Sequence, residues 1–260
     1  AGIAAALAAT RSGKKVILVE RQFMLGGLAT AGLITIYLPI CDGMGRQVSF
    51  GLAEELLKRS VSKWHNNLRG YPNWIENTDH SKNDEKTSRY EVDFNPQLFA
   101  LTAEEQLRKE DVKILYGTIA VATVQCKDKI TAVIFENKSG RFAISAKSFI
   151  DATGDADLAK FAQVPVAEFQ QGNILAAWYY HNVGGYTRKI LGASDAPNPQ
   201  KSDRNAGEKL SDRRFIGLDG EEISDMMCLS HQEIIKDLTK MQEKHAEIQP
   251  TTIATIPQLR

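Results

Sequence analysis

The chain opens on an unbroken run of mostly small apolar residues, AGIAAALAA, before the polar Thr10-Arg11-Ser12, and the pattern predicts a small-residue helix over 1–12. Ser12-Gly13 ends it. Lys14-Lys15 leads into the unbroken apolar run Val16-Ile17-Leu18-Val19, closed by Glu20, which fits a parallel strand over 16–20 covered on both faces. Residues 23–50 are Gly-rich with few helix signals. Leu52–Arg59 is amphipathic, with Leu52, Leu56 and Leu57 inward. Residues 66–90 are polar and turn-rich, as expected of an exposed insertion. Asn95-Pro96 opens a helix through about Lys109, since Asn can cap and Pro is tolerated in the first turn; Leu98, Leu101 and Leu107 form its expected apolar stripe. Val112–Tyr116 reads as a short strand. Ile119–Cys126, Ile130–Glu136 and Arg141–Ile150, joined by hairpin turns, read as a β-meander. A helix over 155–162 stops before Pro165.

Beyond about residue 165 the texture changes. Ile174–Val183 is aromatic and strand-like, and Gly184-Gly185 breaks it. Residues 192–213 read as a long polar loop. Glu221–Ala246 reads as a long helix with Ile223, Met226, Met227, Ile234, Leu238 and Met241 inward. The change predicts two domains, 1–165 and 166–260, with no internal repeat.

The first thirty residues carry the strongest chemistry. A nucleotide-binding βαβ unit needs a glycine turn, a helix N-terminus aimed at the pyrophosphate, and an acidic group for the ribose. Gly2 fits the third glycine of G-x-G-x-x-G, with Ala1 before it. Glu20 follows 18 residues later, close to the expected spacing of about 20. An ordinary helix and core strand is the bland alternative. The second signal is Phe149-Ile150-Asp151-Ala152-Thr153-Gly154-Asp155, an apolar strand ending in small residues, where ligands bind in open α/β sheets. Its bland alternative is a strand-to-helix turn with Asp155 as N-cap.

Taken together, GIAAALAATRSGKKVILVER, LGGLATAGL, ENKSG leading to FIDATGDADLA, and TIPQLR resemble the FAD-dependent oxidoreductases of the glutathione-reductase-like class, akin to fumarate reductase and succinate dehydrogenase flavoproteins. The resemblance implies an α/β fold: a Rossmann-like FAD-binding domain with a parallel sheet and a β-meander over 1–165, and a smaller α+β substrate or cap domain over 166–260. It also implies that the first strand and glycine loop lie outside the chain, which is truncated at both ends. By position, Ala1 and Gly2 would face the pyrophosphate. Glu20 and Arg21 would hold the adenosine end. Gly26, Gly27, Ala29 and Thr30 would line the pyrophosphate and the approach to the flavin. The main chain of Ala120 and Val121 would meet the adenine. Ala152, Thr153, Gly154 and Asp155 would close the phosphate side. The implied activity is hydride transfer between a small organic substrate and flavin N5, with the isoalloxazine near the junction of the two domains. An NAD-dependent enzyme, a tRNA-modifying flavoprotein, and a non-catalytic fragment unable to hold FAD stay open as alternatives.

Lys+Arg and Asp+Glu both number 32, and this zero net charge argues against a nucleic-acid partner. Three scattered cysteines suggest a reducing, cytoplasmic setting. No apolar run reaches membrane-spanning length. His181, Tyr179, Tyr180, Cys41 and Arg260 are candidates for proton transfer or substrate anchoring. For His181, Cys41 and the two tyrosines, a packing role is the bland reading. Asp155 and Asp157 lack a third ligand and make a poor metal site, and Asp42-Gly43-Met44-Gly45 reads as a turn. His65 and His80 fall in polar segments facing water. No serine nucleophile elbow is present.

Overall fold

The computed structural model describes residues 1–37, 47–62, 92–167, 170–185, 187–192 and 209–259. The expected insertion at 66–90, most of the polar loop at 192–213, and Cys41, the Asp42–Gly45 turn, His65, His80 and Arg260 lie outside the described residues. The chain divides into two compact units, one comprising residues 1–30 and 35–166, the other residues 31–34 and 167–260.

In the first unit, helix α1 (Gly2–Arg11) leads to strand β1 (Ile17–Val19), which pairs in parallel with β4 (Lys113–Leu115). Between them come a short 3-10 turn (Gly27–Ala29), β2 (Ile36–Tyr37), α2 (Leu52–Ser62), β3 (Val92–Asp93) and α3 (Pro96–Lys109). Strands β2 and β3 pair antiparallel. Asn95 starts α3 as expected: its Oδ1 accepts from Leu98 N–H at 3.0 Å, and Pro96 occupies the first turn, where no N–H is needed. The buried face of α3 differs from the expected stripe. Phe99, Ala103 and Leu107, at i, i+4 and i+8, join the core with Ile3, Leu7 and Leu57, while Leu101 is 63% exposed. Leu107 lies in the core as expected, while Phe99 and Ala103 at its phase take the places that Leu98 and Leu101 were expected to fill.

β1 is also less covered than its apolar run implies. Leu18 packs into the α1–α3 core and Val19 against the meander, but Ile17 remains 44% exposed. Among the described residues the strand has one ladder partner, β4, with Ile17 opposite Lys113.

Strands β5 (Ile119–Cys126), β6 (Lys129–Asn137) and β7 (Gly140–Ser145) form the antiparallel meander, in that order. Val133 and Phe135 of β6 pack with Leu158 of the short helix α4 (Asp157–Phe161). Two expectations are corrected here: β7 stops at Ser145 rather than Ile150, and the segment from Phe149 into Ala152-Thr153-Gly154-Asp155, expected as an apolar strand, belongs to no strand, because none of the described residues offers it a ladder.

Arg11 ties three helices together. Its guanidinium donates to both oxygens of Glu55 on α2 (2.7 and 2.8 Å) and to Glu110 at the end of α3 (2.7 Å). The guanidinium holds Glu55 down at about 2 and lowers Glu110 as well. Because both carboxylates bind protons more weakly when folded, their contribution is full above the ordinary value near 4.5 and is lost as pH falls toward about 2. Arg11→Ala is expected to cost about 1 kcal/mol at neutral pH, the upper range for a solvent-screened pair with bidentate geometry. The difference from wild type in denaturant melts should shrink at acid pH and high salt.

The second unit is built on β8 (Leu175–His181), every residue of which is buried. One edge pairs with β9 (Thr187–Leu191); β10 (Pro250–Ile253) and β11 (Gln258–Leu259) also pair with β8, all antiparallel. Alternation along β8 sorts its side chains. Leu175, Ala177 and Tyr179 pack against the long helix α5 (Gly220–Gln242) through Met226, Ile234 and Leu238. Ala176, Trp178 and Tyr180 pack with Leu33 and Ala254. Asp219 caps α5, its Oδ1 accepting from the Glu221 and Glu222 N–H groups at 2.9 and 3.0 Å. Among the described residues no helix is long and apolar enough to cross a membrane.

Candidate cofactor site

The site grows from the start of α1. The N-cap, Ala1, has no side chain able to bond the free N–H groups of the first turn, and no acidic residue follows in that turn. Those N–H groups and the positive end of the helix dipole are therefore left for an anion. Gly2 sits where a Cβ would meet Ala152 Cβ and Leu18 Cδ1, each at 3.4 Å. Two of the sequence signals, far apart in the chain, thus meet: the helix start lies against the end of the Asp151–Asp155 segment and against β1.

Glu20 closes β1. Its Oε1 accepts from Gln22 N–H at 2.8 Å, and its main chain bonds Leu115 and Thr118. A carboxylate with one local bond keeps capacity for more donors. Arg21 is exposed, and its charge bears on Asp155. The Asp155 carboxyl is held above its ordinary range by burial first and by neighbouring Asp157 second, with Arg21 opposing.

Asp155 does not cap α4. The N-cap is Ala156, in a left-handed conformation with φ 59°. The carboxylate that organises this turn is Asp151: it accepts from the Thr153 N–H (3.0 Å) and hydroxyl (2.7 Å) and from Ala159 N–H (3.0 Å). Thr153 Oγ1 in turn accepts from Asp157 N–H at 3.0 Å. The signal was available, since an Asp two residues before a Thr favours an Asx-type turn. Gly154 has φ +102° with open space around it, so a ligand can approach the backbone there.

The glycine doublet is tightly constrained on one side. Gly26 has φ +113°, and a Cβ there would lie 2.5 Å from Thr30 Cγ2 and 3.2 Å from Phe99. Gly27 has φ +55° and nothing within 4 Å. Thr30 is fully buried, its hydroxyl donating to Leu25 C=O at 2.6 Å, so that side chain braces the loop from inside. Ala29 packs beside the core. In β5, register shifts between Ala120 and Ala122, opposite Phe135 and Ile134, leaving Val121 at a bulge. A bulge frees main-chain groups from the ladder. Sequence reading missed Gly117: its φ is +55°, and a Cβ would run into the Phe23 ring at 2.6 Å.

The other candidates lie in the second unit. Tyr179 is wholly buried and donates to Asp237 Oδ2 at 2.5 Å; burial, then this bond, push its phenol pKa up. Tyr180 is 5% exposed. His181 is 4% exposed, its ring 6.0 Å from Tyr179, with Nδ1 unpartnered. Burial, then Lys189, hold its pKa below the ordinary 6.5; His245 adds to this and Asp237 opposes. The folded protein therefore favours neutral His181 while the unfolded chain protonates first. Stability is full above about pH 6.5 and falls as pH drops below it toward the folded value. Denaturant midpoints measured from about pH 7 to about pH 5 should decline more steeply in wild type than in His181→Asn.

Cys126 and Cys228 are free and exposed. Among the described residues no three His, Cys, Asp or Glu side chains gather as a metal site would require.

A doublet-bearing loop, a parallel strand pair with an uncapped helix start, and a meander define an α/β nucleotide-binding fold. The family model for FAD dependent oxidoreductases matches residues 1–251, and the chain belongs to that family, whose cofactor is FAD. Among curated proteins none matches the chain. Several solved structures are similar. THI4 of Thermovibrio ammonificans is 17% identical (TM-score 0.41), with 66% of this chain and 61% of that one covered. The p-nitrophenol 4-monooxygenase PnpA of Pseudomonas putida DLL-E4 is 14% identical (TM-score 0.43; 70% and 45% covered). The L-proline dehydrogenase of P. horikoshii is 11% identical (TM-score 0.43; 79% and 60% covered). The chain thus spans less than two thirds of each of these proteins.

Proposed function

We propose that residues 1–165 bind FAD and that residues 166–260 form a substrate domain, the whole acting as an oxidoreductase on a small organic substrate. The single observation that carries this reading is the uncapped start of α1 at Gly2, packed at 3.4 Å against Ala152. When bound, FAD supplies the two-electron redox chemistry, and the protein supplies binding and orientation. The free N–H groups from Gly2 onward, next to Ala1, take the pyrophosphate. Glu20 accepts from a ribose hydroxyl, with Arg21 beside it. Gly26, Gly27, Ala29 and Thr30 hold the loop along the pyrophosphate, Thr30 through its main chain. The bulged main chain at Ala120–Val121 meets the adenine, and Ala152, Thr153, Gly154 and Asp155 close the phosphate side. No side chain is assigned to the hydride step.

The test is anaerobic. The protein is loaded with FAD and mixed with a panel of small organic reductants while flavin absorption is followed. Bleaching by a member of the panel supports the reading and identifies the reductant class. Bound flavin that dithionite reduces but no organic compound in the panel does would contradict the substrate assignment.

A further inference from the structure

The second unit contains a gap in its sheet that the FAD reading does not use. Along β8, Ile253 of β10 sits opposite Tyr179, and Gln258 of β11 sits opposite Ala176. The β10–β11 side takes five steps where β8 takes three, so two extra residues are accommodated. Pro257 has no N–H to give the ladder, and the Thr255 N–H donates instead to Ala31 C=O at 2.8 Å. The Ala254 N–H still donates to Trp178 C=O at 3.0 Å, so the sheet opens just past that bond, beside Ala177. Ser230, His231 and Ile234 of α5 help line the resulting cavity, together with Gln258, and it has room for about one water-sized oxygen.

Three polar atoms here are buried with no partner: Nε2 and Oε1 of Gln258, and Nε2 of His231. Gln258 is 4% exposed, so solvent does not satisfy its amide. The Ser230 hydroxyl is already committed, donating to Ala176 C=O at 3.3 Å. Apart from His231 the lining holds no ionisable side chain, which disfavours a charged guest. An amide that lacks both a donor and an acceptor partner asks for a group that does both.

We propose that this gap is a binding site for one neutral hydroxyl-type oxygen, either an internal water or the hydroxyl of a small uncharged ligand. Gln258 Nε2 donates to that oxygen, Gln258 Oε1 or His231 Nε2 accepts from it, and the oxygen bridges α5 to the gapped strand edge. The site lies wholly in the second unit and does not depend on FAD binding.

A high-resolution crystal structure of the full chain, with and without methanol as the hydroxyl probe, tests it. The expected result is an oxygen within hydrogen-bond distance of the Gln258 amide and of His231 Nε2. Density unchanged by methanol identifies a resident water; density that grows by a methyl group identifies a site open to hydroxyl ligands. In Gln258→Leu the oxygen should be lost and the His231 ring nitrogen NMR shift should move. Gln258 bonded directly to His231, or either side chain turned out to solvent with no oxygen between them, in the wild-type crystal would overturn the proposal whether or not the variant folds.

Discussion

Tyr179→Ala should lower stability by about 3–5 kcal/mol, the cost of emptying a fully buried aromatic site. Tyr179 has no exposed surface and packs with Ala177, Ile234, Leu191 and Leu238 beneath α5. Its hydroxyl is also the 2.5 Å donor to Asp237, whose other neighbour is Lys189 at 3.7 Å. Truncation therefore removes packing and a donor together. A loss of that size is a large share of the roughly 5–15 kcal/mol that holds a domain together. Tyr179→Phe separates the two contributions: it keeps the ring and should cost about 1–3 kcal/mol, the range for losing a hydrogen bond to a charged group, since the part-buried Asp237 keeps Lys189. Thermal unfolding of both variants beside wild type checks the order. Equal losses would mean that the hydroxyl, rather than the ring, anchors α5.

Gly26→Val is the second large effect. The backbone at φ +113° is closed to L side chains, which costs about 1–3 kcal/mol by itself. The new Cβ would also press on Thr30 at 2.5 Å, and Thr30 is short, buried and held by Leu25 C=O. The same Cβ would lie 3.2 Å from the Phe99 ring, so the loop must move. The expected outcome is a lower melting temperature together with weaker FAD binding. Gly27→Ala is the control: nothing lies within 4 Å of that position, so only its φ of +55° is penalised, and stability should fall by about 1 kcal/mol.

Local chemistry made much of the first unit legible. Asn95-Pro96 predicts the start of α3, and the hairpin turns predict β5–β7, because caps and turns depend on a few adjacent residues. The approach of Gly2 to Ala152 was implied by family resemblance, not by periodicity, since the two are 150 residues apart. What could not be read is what depends on neighbours. Residues 149–152 have the composition of a strand but no ladder. Strands β9 and β10, of five and four residues, lack a distinguishing pattern and exist because β8 pairs with them. The Val121 bulge and the gap beside Ala177 arise where the register breaks, and register is a property of pairs of segments.

The central claim is that FAD binds at the uncapped start of α1, and titrating the protein with FAD while following flavin fluorescence tests it most directly. Gly2→Asp is the informative variant: a carboxylate in the first turn suits the helix dipole but repels a pyrophosphate. Wild type should bind saturably. With far-UV circular dichroism unchanged, Gly2→Asp should bind roughly 10–100-fold more weakly, equivalent to about 1.5–3 kcal/mol of charge-assisted bonding. No saturable binding by wild type, or equal affinity in the folded variant, would contradict the account.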